Sequence, residues 1–299
     1  MRIVVTGAKE GQLARSLLER AGGDLEVFAL GPPELDLARP GDLAPLFDAH
    51  KPDVIVNAAA HTAVDKAESE RELAFAINAS GAGDVARAAK ALGIPVIQIS
   101  TDYVFDGTGN RPMLETDPTG PMGVYGASKL AGEQQVQAAT VDYAILRTAW
   151  VYAPFGANFV RTMLRLAKTK EELGVVADQW GTPNSALDLA AAVETTARNL
   201  LREPENLELR GVFNMTAAGG PVSWAEFAAE IFVQSAARGG PSARVRPIAT
   251  AEYPTPAKRP AWSLLDGTKL QRMHGVVLPD WRDGLKRTMD RLAGEGEWR

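Results

Sequence analysis

Cysteine is absent from this 299-residue chain, and histidine occurs only three times. Without a thiol there is no disulfide, no thiol nucleophile and no Cys-ligated metal. His50, His61 and His274 show neither HxH nor HxxxH spacing, which argues against a His-rich metal site. Strong charge of one sign is also missing. Lys plus Arg is 32, Asp plus Glu is 37, and the net charge is -5. A nucleic-acid surface needs a basic excess or stripe, so no nucleic-acid partner is expected. No apolar run reaches the roughly 18 residues that a membrane-spanning helix needs. The opening residues Met1–Gly7 lack the longer apolar stretch of a signal peptide. The expected setting is therefore the cytoplasm, with no membrane partner.

What is present is ordinary globular material, 45% hydrophobic and 23% charged. The length suits one large domain or two smaller ones. Short apolar runs at Arg2–Thr6, Glu26–Leu30, Val54–Ala58, Val96–Ser100 and Tyr143–Arg147 are nearly continuous rather than alternating. Strands buried on both faces look like this. Helical stretches fall near Gln12–Arg20, Gly41–His50, Arg71–Leu92 and Tyr125–Ala138. The alternation predicts an α/β fold, a Rossmann-type doubly wound parallel sheet. After Trp150 the pattern changes. Gly174–Ala177 and Gly211–Met215 are expected to extend the first sheet. Asn158–Lys170 and Trp224–Ala237 read as helices of a smaller lobe, and Gly294–Arg299 are expected to fray.

The first strand runs straight into Thr6-Gly7-Ala8-Lys9-Glu10-Gly11-Gln12-Leu13-Ala14. Glycines between a strand and a helix allow a tight turn and close approach to a pyrophosphate, which then meets free N–H groups at the helix start. Gly7, Gly11, Gln12 and Leu13 are thus candidate dinucleotide contacts. An acidic residue at the end of the second strand would select a ribose 2′-OH. Gly31 stands there instead, with no Arg for a 2′-phosphate, so NADH and NADPH both remain open. Asp36 and Leu37, in the following loop, are further cofactor candidates.

Tyr125 and Lys129 are four residues apart, on one face of a helix that follows a Pro/Gly-rich loop. A free phenol titrates near 10 and is a poor acid at neutrality. A neighbouring ammonium is expected to lower that value, fitting Tyr125 as general acid towards a carbonyl. Thr101 ends a strand at the carboxyl edge of the sheet, where ligands of such folds sit. It is placed to bond the substrate oxygen beside Tyr125, while Ser100, one residue off, faces elsewhere.

The glycine turn, Asn57–Ala60, Ser100–Phe105 and Tyr125–Lys129 together resemble the extended short-chain dehydrogenase/reductase superfamily. Asn57–Glu68, Ala149–Tyr152, Asn158–Val160, Asp178–Pro183 and Thr255–Pro260 narrow the resemblance to the dTDP-4-dehydrorhamnose reductases. The resemblance implies reduction of the 4-keto group of dTDP-4-dehydro-6-deoxy-L-mannose to dTDP-L-rhamnose. Hydride would come from NADPH or NADH and the proton from Tyr125. Lys129 would tune Tyr125 and hold the nicotinamide ribose, and Thr101 would orient the keto oxygen. Ala58, Ala59 and Ala60 would line the cofactor cleft. Asp102, Tyr103, Trp150, Asn158 and Arg259 would contact the nucleotide sugar, Arg259 through the paired donors that suit a diphosphate. Residues 1–149, with strands and a helix within about 174–216, would form the dinucleotide-binding domain. Residues 150–173 and 217–299 would form the nucleotide-sugar lobe.

Three departures from the pattern stand out. Three residues separate Gly7 from Gly11 where the family usually has two, and Trp262 precedes Ser263 where Asn is common. The positions that match glutamates bridging Mg²⁺ in some relatives are Ser16 and Leu187, poor ligands for a hard cation. No metal is expected, and the chain should be a monomer or a weak homodimer without a Mg²⁺ bridge. Two alternatives remain. One is another nucleotide-sugar reductase or epimerase on the same scaffold; the other is a non-catalytic regulatory subunit. A dehydratase is disfavoured because Tyr103, not Glu, follows Asp102, and a regulatory subunit because Tyr125 and Lys129 are both kept.

Overall fold

A computed structural model describes residues 1–296. Its first half alternates β1 (Arg2–Thr6), α1 (Gln12–Leu18), β2 (Glu26–Leu30), α2 (Leu43–Asp48), β3 (Val54–Asn57), α3 (Ala82–Leu92), β4 (Val96–Thr101), α4 (Val124–Ala139) and β5 (Tyr143–Thr148). The helix expected over 71–92 is interrupted. Arg71–Phe75 is α-helical, Ala76–Gly81 widens into a π-helical turn, and α3 follows. The second half supplies α5 (Phe159–Ala167), β6 (Glu172–Val176), α6 (Ala186–Arg202), β7 (Gly211–Asn214), α7 (Trp224–Ala236), β8 (Arg244–Ile248) and α8, here the last helix, over Trp281–Gly294. Residues 297–299, the end of the stretch expected to fray, lie outside the described residues.

Six strands form one parallel sheet in the order β7-β5-β4-β3-β1-β2. Successive side chains of a strand point to opposite faces. Ile3 and Val5 accordingly join one buried cluster with Leu17 of α1 and Leu189 of α6. Val4 joins a second cluster with Phe47 of α2 and Val85 of α3. Burying each such aliphatic side chain contributes roughly 1.5–3 kcal/mol. This two-sided burial explains why the strands read as continuous apolar runs. The chain leaves β1 for β2 on one side and returns to β3 on the other, so a crevice opens between the ends of β1 and β3.

β7 extends this sheet beside β5, as its sequence predicts. The run at 174–177 does not. It belongs to β6, which pairs in parallel with β8 in a separate two-stranded sheet. The reason is visible in its burial: Leu173 and Val175 point inward while Glu172 and Gly174 are exposed. A strand with one wet face suits a small outlying sheet, not the interior of a doubly covered one. Among the described residues no helix is long and apolar enough to cross a membrane.

Candidate active site

The turn after β1 is built around Gly7, whose φ of +128° is open to glycine and strained for other residues. Its N–H donates to the Leu30 carbonyl at 2.7 Å, tying the turn to the end of β2. Gly31 lies against the same turn. A Cβ there would sit 2.7 Å from both Ala8 N and Gly7 C, so no larger residue fits where the carboxylate of an NAD-selecting site would stand. Gly11 caps α1 without any side-chain cap, which leaves the first-turn N–H groups without a side-chain partner. The extra residue relative to the usual glycine spacing is absorbed by a bond from Gly11 N to Ala8 O at 2.8 Å.

This turn forms one end of a cleft of about 540 Å³. Ala58, Ala59 and Ala60, following β3, line it with Gln12 and Leu13. Thr101, Asp102, Tyr103, Tyr125, Lys129 and Trp150 line the other end. Three buried polar atoms of the lining residues, Gln12 Oε1, Asp102 Oδ2 and Thr148 Oγ1, have no partner among the described residues. A cradle of small residues, uncapped helix-end N–H groups and unpaired polar atoms fits a dinucleotide.

A line of buried side chains holds the floor of the cleft. Thr6 Oγ1 donates to Asn57 Oδ1 at 2.5 Å, Asn57 Nδ2 to Gln98 Oε1 at 2.7 Å, and Gln98 Nε2 to the Ile99 carbonyl at 2.8 Å. Lys129 Nζ reaches that same carbonyl at 2.7 Å. The ammonium is therefore fixed on β4, at a carbonyl where a line of bonds from β1 and β3 also ends. Its pKa is pulled down to about 8, mainly by burial, with the Glu133 charge working the other way.

Tyr125 lies in the first turn of α4. Burial pushes its phenol up to about 12 and the Asp102 charge adds to this, while a hydrogen bond with Thr101 works downward. The expected lowering by Lys129 is not what the structure shows: Lys129 is turned to Ile99, and desolvation dominates at the phenol. A phenol held this way keeps its proton throughout the neutral range, the state a proton donor needs. Asp102 is buried as well, and its carboxyl is pushed up to about 6 by loss of solvent. Tyr103 meets Tyr125 edge to face at 5.4 Å, and burial raises its phenol further still.

Ser100 faces away from Tyr125, as its register predicts. Its hydroxyl donates to Glu133 Oε1 at 2.5 Å, and Glu133 takes two bonds from Arg147, at 2.9 and 2.6 Å. This buried trio staples α4 to β4 and β5. A second tie runs through the π-helical turn. Asn78 accepts the His61 N–H at 2.8 Å and donates to Ser128 at 2.9 Å, and Ser128 bonds the Tyr125 carbonyl at 2.8 Å. Sequence reasoning missed Gln98, Glu133, Arg147 and Asn78. The signal for two of them was a polar residue inside an apolar strand.

Not every candidate lines this cleft. Asp36 accepts the Ala38 N–H at 2.9 Å, and Leu37 is buried in the second core cluster. Asn158 is the N-cap of α5, with its amide bonded to the Ala153 and Phe155 carbonyls, and lies on a separate groove. Arg259 forms a two-pronged ion pair with Asp65 at 2.9 and 2.8 Å. It lines a second cavity of about 480 Å³ whose apolar walls include Phe159, Met163, Leu173 and Trp224.

The RmlD substrate binding domain family matches residues 1–293. A dTDP-4-dehydrorhamnose reductase of Sinorhizobium fredii is 48% identical over 297 residues, 99% of either chain. A crystal structure of a dTDP-4-dehydrorhamnose reductase from Clostridium acetobutylicum superposes with a TM-score of 0.88 at 41% identity, covering 98% of this chain and 99% of that one. One from Bacillus anthracis, in complex with NADP, gives 0.87 at 36% identity, covering 97% and 99%.

Proposed function

The chain belongs to the RmlD family, and on that premise we propose that it reduces the 4-keto group of dTDP-4-dehydrorhamnose, giving dTDP-L-rhamnose. One observation carries the reading: Tyr125, Thr101 and Lys129 line the same cleft as the glycine turn. When bound, NADPH or NADH supplies the hydride. Backbone N–H groups of the Gly7–Leu13 turn hold its pyrophosphate, and Ala58, Ala59 and Ala60 let it lie against the sheet edge. Asp36 and Leu37 are assigned to the adenosine end, in the loop after β2.

The chain's own residues then do four things. Tyr125 delivers its proton to the sugar O4 as charge develops there. Thr101 orients that oxygen. Lys129, fixed on Ile99, places a positive charge beside the reacting groups. Asp102, Tyr103 and Trp150 shape the sugar pocket. The second cavity, apolar with Arg259 in its lining, suits the base and diphosphate of the nucleotide. Asn158 acts there by fixing the start of α5.

Residues 1–149 with β7 and α6 carry the cofactor, and 150–173 with 217–299 carry the nucleotide sugar. β6 joins the latter through its pairing with β8. A Mg²⁺-bridged dimer is not part of the reading. The Ser16 hydroxyl donates to the Gln12 carbonyl at 2.8 Å and Leu187 packs against a small apolar cluster. The test is to mix the purified protein with NADPH, or with NADH, and the 4-keto nucleotide sugar. Loss of nicotinamide absorbance is expected; none with either cofactor rejects the reading.

A further inference from the structure

We propose that Asp102 is a positioning residue for the reduction, because whether it carries a proton decides which way the Thr101 hydroxyl points. The proposal rests on the reductase reading above and adds to it a condition on Thr101. A threonine hydroxyl has one hydrogen to give. Here Thr101 gives it to Asp102 Oδ1 at 2.9 Å, and its oxygen accepts the Tyr103 N–H at 3.2 Å. The Tyr125 phenol lies close enough to Thr101 for that side chain to hold its pKa down against burial. In this arrangement no hydrogen of Thr101 is left for a keto oxygen lying between Thr101 and Tyr125.

An ionised carboxylate can only accept, so it keeps the hydroxyl turned inward. A protonated one can donate to Thr101 Oγ1 and turn the Thr101 hydrogen into the cleft. Asp102 is built to take that proton. It is 4% exposed, and Oδ2 has no partner among the described residues. The Ser263 side chain, close by, works against burial by lowering the carboxyl's pKa. The titratable groups whose charge couples to it are Tyr103 from its own turn and Tyr125 from α4, both neutral at working pH. The cations around the cleft are engaged elsewhere, Lys129 with the Ile99 carbonyl and Arg259 with Asp65. With no cation pairing it, burial holds the carboxyl protonated up to about pH 6.

The experiment has two arms. In the first, infrared difference spectra follow the carboxylic C=O band of the ligand-free protein against pH. A band titrating near pH 6 is expected, absent in Asp102→Asn and shifted to higher pH in Thr101→Val, where the carboxylate loses a donor. In the second, kcat/KM is measured across the same range. In the wild type it should fall by about tenfold per pH unit above the carboxyl midpoint. The profile should run flat there in Asp102→Asn, whose amide N–H can donate to Thr101 at every pH. It should also run flat in Thr101→Val, which has no hydroxyl to turn. A falling limb that survives either substitution overturns the proposal, as does a carboxyl band unmoved by Thr101→Val. Absence of any reductase activity in the wild type would defeat the reductase reading instead, and the infrared arm would still decide whether Thr101 and Asp102 are coupled.

Discussion

The indole of Trp150 lies flat on that of Trp224, with ring centroids 3.5 Å apart and planes 9° from parallel. Trp150 lines the cleft and Trp224 the second cavity, so the stack stands where the two meet. Trp150 holds a φ of +47°, a region that bulky residues avoid. Such a conformation costs roughly 1–3 kcal/mol and persists only when the surroundings impose it. Stacked aromatic pairs contribute about 0.5–1.5 kcal/mol beyond their buried area. Trp224→Ala should therefore raise KM for the nucleotide sugar by about two- to tenfold, with NADPH affinity unchanged. Steady-state kinetics beside a direct cofactor titration checks this; a matching loss of NADPH affinity would contradict it.

Tyr125→Phe removes the proton and little else, since the ring still packs against Tyr103. Turnover should drop by about 10²- to 10⁴-fold, the usual contribution of a positioned acid. Cofactor binding, read by nicotinamide fluorescence, should stay within about twofold. Turnover close to wild type would remove Tyr125 from the chemistry.

Lys129 sets activity against stability. Its folded pKa, about 8, lies below the ordinary 10.5, so between these values the unfolded chain holds more proton. Stability from this group is thus lowest at and below pH 8 and rises with pH through the window up to 10.5. Lys129→Met should abolish turnover while raising the melting temperature at pH 7. It should also flatten the increase in stability on the alkaline side. Thermal melts of both proteins from pH 7 to about 10 provide the measurement; a variant less stable at every pH would contradict it.

Glu133 and Arg147 are buried together at 2% and 4% side-chain exposure. Removing one partner leaves the other charge buried and unpaired, at a cost of about 3–5 kcal/mol. Glu133→Gln and Arg147→Met should each destabilise on that scale. The double replacement Glu133→Gln with Arg147→Met should lose less than the sum of the singles. A double-mutant cycle in urea tests this, and strict additivity would deny the coupling.

Much of the architecture was legible because two-sided burial writes itself into sequence. Ile3, Val4 and Val5 are all apolar since each has a core to enter. Residues 174–177 misled for the converse reason: a short apolar run does not say which sheet will accept it, and its partner β8 lies in a Pro- and Gly-rich stretch that reads as loop. The grouping of the central candidate residues in one cleft was legible through spacing. Tyr125 and Lys129 share a helix face, and Thr101 ends a strand at the sheet's carboxyl edge. The environment that sets their chemistry was not. Spacing places Lys129 near Tyr125, but only the folded chain shows the ammonium spent on Ile99. Asn158 illustrates another limit, because a polar residue before a helix is equally a ligand contact or a cap, and here it caps.

The packing of Gly31 against the turn at Gly7 and Ala8 has a consequence for coenzyme engineering. The customary route to an NADH-preferring variant places an aspartate at the end of the second strand. Here that substitution would drive a Cβ to within 2.7 Å of the very backbone that cradles the pyrophosphate. Gly31→Asp should weaken both dinucleotides together rather than exchange one preference for the other. Any retuning of this enzyme towards one coenzyme has to begin further along the loop, at Glu34 or Asp36, where side chains have room to change.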